Sequence, residues 1–134
     1  MKSQIHENKK TKIKLLSKTL ITLIATLLLT TSCGVFGSLN SNTSIKPKES
    51  FVLGNNEHGS FKTHLKNEGV TILKVYQAPI AGGTHSPILI KPQETAFVKT
   101  EKNTALIIEN TENQYASVTL KVKGDLNLGM NYNN

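Results

Sequence analysis

A strict alternation near the C-terminal end constrains this chain more than any other feature. Ala116, Val118, Leu120 and Val122 are apolar, while Ser117, Thr119, Lys121 and Lys123 between them are polar. A period of two is the pattern of a strand with one face in a core and the other in water, because successive side chains point to opposite sides of a pleated sheet. Leu126, Leu128, Met130 and Tyr132 alternate in the same way with Asn127, Gly129 and Asn131. Gly124-Asp125 between the two segments predicts a tight turn, and therefore a C-terminal hairpin. Upstream, Phe61, Thr63 and Leu65 stand opposite Lys62, His64 and Lys66, and further strands are predicted over 70–76, 88–90 and 96–98. Ala105 to Ile108 is a continuous apolar run, as expected of a central strand covered on both faces. Asn55-Asn56, Asn67-Glu68-Gly69, Gly82-Gly83 and Asn110 to Asn113 supply turns. No amphipathic helical stripe of useful length follows residue 50. The predicted class is all-β, a small antiparallel sandwich of about seven strands.

Two short stretches are similar to those of immunoglobulin-like bacterial accessory domains: Asn67-Glu68-Gly69 ahead of a strand, and the Lys91-Pro92-Gln93-Glu94 corner that leads into the next. The resemblance implies an immunoglobulin-like sandwich and carries no information about a ligand, since that fold serves many functions.

The first third of the chain has a different character. Residues 1–18 are polar and lysine-rich, and Thr19 to Leu29 is an uncharged run of mainly Leu, Ile, Ala and Thr. This is the order of the charged and apolar regions of an export signal. A helix over that run would span only about 16 Å, well short of the roughly 30 Å hydrocarbon layer, which argues against a permanent transmembrane segment. Thr30, Thr31, Ser32 and Cys33 follow directly. Cys33 is the single cysteine, so no internal disulfide, cysteine-rich zinc site or CxxC redox pair is available.

Here the chain resembles the lipobox of bacterial lipoproteins. The resemblance implies a diacylglyceryl group on the Cys33 thiol, cleavage between Ser32 and Cys33, and acylation of the new amino group by a chain such as palmitate. Thr30 departs from the family pattern, where leucine is usual. Gly34 stands where an aspartate would retain a lipoprotein at the inner membrane, which implies the outer membrane, on its periplasmic or surface face. Residues 1–32 are thus expected to be a signal peptide. Residues 33–49 hold few large apolar side chains and are expected to form a lipidated, flexible tether that lets the domain stand clear of the head groups. Residues 50–134 are expected to be the folded domain.

Charge narrows the partners. All 16 basic residues are lysines, and six of them precede Cys33. The ten lysines after it face eight acids, and there is no arginine for bidentate phosphate or guanine contacts. This balance argues against nucleic acid as a partner. The expected partners are membrane lipid, through acylated Cys33, and an envelope protein met by strand edges or a loop.

Catalytic chemistry finds little support. No G-x-S-x-G elbow brings serine, histidine and carboxylate together, and Glu94, Glu101, Glu109, Glu112 and Asp125 read as solvated charges at strand edges and turns. We therefore assign no catalytic residue, no cofactor and no metal site. The rival reading is a copper or zinc site, or a small enzymatic periplasmic domain, built on His58, His64 and His85 with Met130. A blue-copper site would require a cysteine inside the domain, and His64 falls on a polar strand face between two lysines. The candidate binding loop is Gly82, Gly83, Thr84 and His85, set between Pro79 and Pro87 on an otherwise rigid scaffold.

Overall fold

The computed structural model describes residues 37–134. The period-two segments over Phe61–Lys66 and Ala116–Lys123 are strands, because alternation lets each bury one row of side chains while its backbone pairs with its neighbours. In chain order the strands are β1 (Ser38–Ile45), β2 (Ser50–Leu53), β3 (Phe61–Asn67), β4 (Leu73–Pro79), β5 (Ile88–Ile90), β6 (Thr95–Thr100), β7 (Thr104–Asn110), β8 (Ala116–Gly124) and β9 (Met130–Asn133). They form two antiparallel sheets, ordered β1-β8-β3-β6 and β5-β4-β7-β2-β9. The all-β antiparallel sandwich is as expected, with nine strands.

Within that sandwich, successive strands alternate between the sheets, except for the β4–β5 hairpin. Strands 1, 8, 3 and 6 facing strands 5, 4, 7 and 2 is the double Greek-key order of a jelly roll, with β9 added at one edge. An immunoglobulin sandwich instead keeps several consecutive strands together in one sheet.

The core lies between the sheets. Phe61, Leu65, Val118, Leu120 and Val122 come from the first sheet, and Phe51, Leu53, Leu73, Val75, Leu106 and Ile108 from the second. β7 is the middle strand of its sheet, and Ala105, Leu106 and Ile108 are all buried, which explains its unbroken apolar run. Two asparagines close the end of the sandwich where β3 and β7 finish. Asn67, fully buried, donates to the carbonyls of Thr71 at 2.7 Å and Ile90 at 3.0 Å and accepts from Gly69 N at 3.1 Å. Asn110, also fully buried, donates to the carbonyls of Ile45, Lys46 and Gln114 and accepts from Glu112 N. Both tie the backbone of a turn to the end of a neighbouring strand, so the two turn signals are also buried brackets.

Three expectations are corrected. Ser38–Ile45, placed in the tether, is strand β1, in register with β8 from Ser38↔Lys123 to Ile45↔Ala116. Its inward positions, Leu39, Ser41, Thr43 and Ile45, are mostly small or polar. Thr43 is nevertheless buried, and the Ser41 and Thr43 hydroxyls lie 3.0 Å apart in a mutual hydrogen bond. The C-terminal hairpin does not form: β8 lies in the first sheet and β9 crosses to pair with β2 in the second. Leu126 and Leu128 pack on the core as irregular chain between them, and Asp125 ties the crossing by accepting from Gly59 N at 2.6 Å and Asn127 N at 2.9 Å. Finally, β4 starts at Leu73, leaving Val70 and Ile72 exposed in the preceding loop.

Candidate functional site

The outer face of the first sheet collects the polar phase of its strands. Register places Lys62 between Lys123 on β8 and Lys99 on β6, and His64 between Lys121 and Phe97. Lys66, one rung further on, pairs with Thr119 and Thr95. β1 adds Ser38, Asn40 and Asn42 beside the β8 residues. The strands thus build a rung of three lysines abreast, followed by a rung of lysine, histidine and phenylalanine. Around them is a shallow depression of about 410 Å³, lined chiefly by Lys62, His64, Phe97, Lys99, Lys121 and Lys123.

Three features set this face apart from an ordinary solvated one. Like charges directly across from each other destabilise a sheet, and here Lys62 has one on each side. Lys99 is paired with Glu101 at 2.7 Å and Lys66 with Glu68 at 2.9 Å, whereas Lys62, Lys121 and Lys123 meet no carboxylate within ion-pair distance among the described residues. Phe97 is 81% exposed, and its ring stacks on His64 with centroids 4.4 Å apart and planes 13° from parallel. The result is a flat aromatic platform beside unneutralised ammonium groups, suited to a surface that is both anionic and partly apolar.

The second sheet's outer face handles its cation differently. There Lys74 and Glu109 form an ion pair at 2.9 Å, and Lys74 Nζ also lies 5.3 Å from the Tyr76 ring centroid. The hydrogen bond and the charge of the Glu109 carboxylate hold the Lys74 pKa above the usual lysine value. Five lysines and two glutamates occupy or border the first face, while the rest of the described domain carries five lysines against six acids. The positive excess of the domain is therefore confined to one face.

The other candidate residues are scattered. Gly82, Gly83, Thr84 and His85 lie in the exposed β4–β5 connection, anchored by hydrogen bonds from Gly82 N to Pro79 O and from His85 N to Gln77 O. Gly82 and Gly83 have φ of 109° and 87°, and an added Cβ would touch nothing there. His58 is buried, with Nε2 3.0 Å from Gly54 O and 3.1 Å from Thr104 O and Nδ1 against Gly59 O. Its ring is used in holding the 54–60 loop. Met130 begins the edge strand β9. His58, His64 and His85 occupy separate parts of the domain, and no three His, Cys, Asp or Glu side chains among the described residues gather as metal ligands. Ser32 and Cys33 lie outside the described residues.

Sequence reasoning missed Phe97 as a functional residue. The signal was present: Thr95, Phe97 and Lys99 are the outward phase of β6, so a large aromatic stands where alternation calls for a polar residue.

No protein-family model and no curated protein matches the chain. Among solved structures, the chain is similar to the mitogen derived from Yersinia pseudotuberculosis, at 15% identity and a TM-score of 0.43, covering 66% of this chain and 86% of that one.

Proposed function

We propose that this chain is a lipid-anchored protein of the bacterial envelope whose sandwich is a non-catalytic interaction module, held at the outer membrane by acylated Cys33. The observation that carries the anchor is the placement of the only cysteine directly after Ser32, at the end of a short uncharged apolar run preceded by lysines. Two or more acyl chains hold a protein stably at a bilayer, where one alone is marginal. The folded part supports the module: its distinctive face offers ammonium groups and an aromatic platform, groups suited to recognising a surface. The domain would present its remaining surface, including the Gly82–His85 loop, to an envelope protein.

Mass spectrometry of the protein purified from membranes should show a mature chain that begins at Cys33 and carries acyl mass. Cys33→Ser should abolish incorporation of labelled palmitate. An intact leader, or an unmodified thiol on the mature chain, would refute the proposal.

A further inference from the structure

The end of β1 that leads back toward Cys33 is also the end where the lysines gather. Ser38, its first residue, pairs with Lys123, Lys123 with Lys62, and Lys62 with Lys99. Because residues 38–45 are strand, only residues 34–37 separate Cys33 from the sheet. Five fully extended steps reach about 18 Å at most. Strand spacing puts Lys99 about 14 Å across the sheet from Ser38. A lipid on Cys33 therefore cannot let this domain stand far from the bilayer. Ser38 stays within about 18 Å of Cys33 and Lys99 within about 32 Å, so rotation of the domain about this short connection brings the whole rung against the head groups, inside a Debye length of about 8 Å.

Charge and shape agree with that geometry. Lys62, Lys121 and Lys123 lack acidic partners among the described residues, and phosphate groups opposite them would relieve the repulsion within the rung. Phe97, 81% exposed beside them, has the apolar body that settles at the boundary of head groups and acyl chains. At the opposite end, where β1 finishes at Ile45 and β3 at Asn67, Glu49, Glu68, Glu94 and Glu112 balance Lys46, Lys48, Lys66 and Lys91, with ion pairs between Lys46 and Glu49 and between Lys66 and Glu68. An anionic surface would attract the anchor end and act little on the far one.

We propose that the domain lies down on its own membrane, with Lys62, Lys99, Lys121, Lys123, His64 and Phe97 docked on anionic phospholipid head groups. This orientation rests on lipid attachment at Cys33, and it leaves the second sheet turned outward for a protein partner.

The test uses the native lipidated protein, reconstituted into vesicles of phosphatidylcholine alone or of phosphatidylcholine mixed with phosphatidylglycerol. Flotation reads the anchor, and acylation of lysines by a water-soluble ester, mapped by peptide mass spectrometry, reads the orientation. Lys62, Lys99, Lys121 and Lys123 should react about fivefold more slowly on the anionic vesicles. Lys46 and Lys91, at the far end, should be unchanged, and high salt should remove the difference. The variant carrying Lys62→Gln and Lys123→Gln should lose the protection at Lys99 and Lys121 while still floating. Flotation with equal reactivity on both vesicles, or with protection at Lys46 and Lys91 instead, overturns the orientation alone. Loss of flotation in the unaltered protein overturns the anchor and the orientation with it.

Discussion

Replacing Lys62 by threonine should make the free domain more stable, although Lys62 sits at the centre of the face we assign to binding. Its ammonium is flanked by Lys123 and Lys99 in the same rung. Two unit charges about 7 Å apart in water repel by roughly 0.6 kcal/mol. The two neighbours together thus cost at most about 1.2 kcal/mol, and Glu101 beside Lys99 offsets part of one of them. Screening over a Debye length of about 8 Å cuts the remainder to less than half at physiological salt. The expected gain is about 1 kcal/mol at low ionic strength and about 0.5 kcal/mol at physiological ionic strength, with a few tenths that ignore salt from the better strand propensity of threonine. Urea denaturation of residues 36–134, which form a compact unit, would measure it at both ionic strengths. A variant less stable than wild type, or a gain identical at low and high salt, would show that the rung is not a strained array of like charges.

Other substitutions probe what holds the face in place. Asn67→Ala leaves the Thr71 and Ile90 carbonyls without their side-chain donor and the Gly69 amide with Ser117 O alone, and should destabilise the domain by roughly 2–4 kcal/mol in denaturant titration; Asn67→Asp should do no better, because it turns an acceptor toward two carbonyl oxygens. Gly54 has φ of 81°, and a Cβ there would meet His58 Nε2 at 2.8 Å, so Gly54→Ala should cost about 2–4 kcal/mol by the same measurement. Hydrogen bonds from Asn127 N and Gly59 N hold the Asp125 carboxyl below the usual aspartate range. Its folded pKa being depressed, its contribution is fully present above the unfolded value of about 3.9 and is lost as pH falls through the folded value; Asp125→Asn should remove that acid-limb component from a pH–stability curve and leave the neutral region parallel to wild type.

How much could be read in advance depended on where the decisive interaction lay. β8 and β3 were legible because alternation is a local property: each residue carries its own assignment to core or solvent, and both strands kept it. β1 was not legible. Its sequence, SLNSNTSI, places serine and threonine at inward positions and asparagine at outward ones, and it is a strand only because β8 offers eight partners in register. The hairpin expected of residues 116–132 failed for a related reason. Alternation told which side chains of 126–132 seek apolar surroundings, and Leu126 and Leu128 do find the core, but it could not tell which sheet their strand would join.

The candidate face divides along the same line. Its lysines and His64 were assigned to a polar phase by the local pattern, and the charge imbalance between the residues before Cys33 and the remainder is a matter of counting. What brings Lys62, Lys99 and Lys123 abreast is the pairing of β3 with both β6 and β8, strands that lie 28 and 49 residues from it at their starting points of Thr95 and Ala116 if measured from Asn67. The sequence by itself determined the alternating strands, the absence of arginine and the lone Cys33 after its apolar run, because each is a property of neighbours along the chain. Only the tertiary structure decided that Ser38–Ile45 is a strand and that the lysine rung stands level with its first residue, because register across strands distant in sequence depends on how the whole core closes.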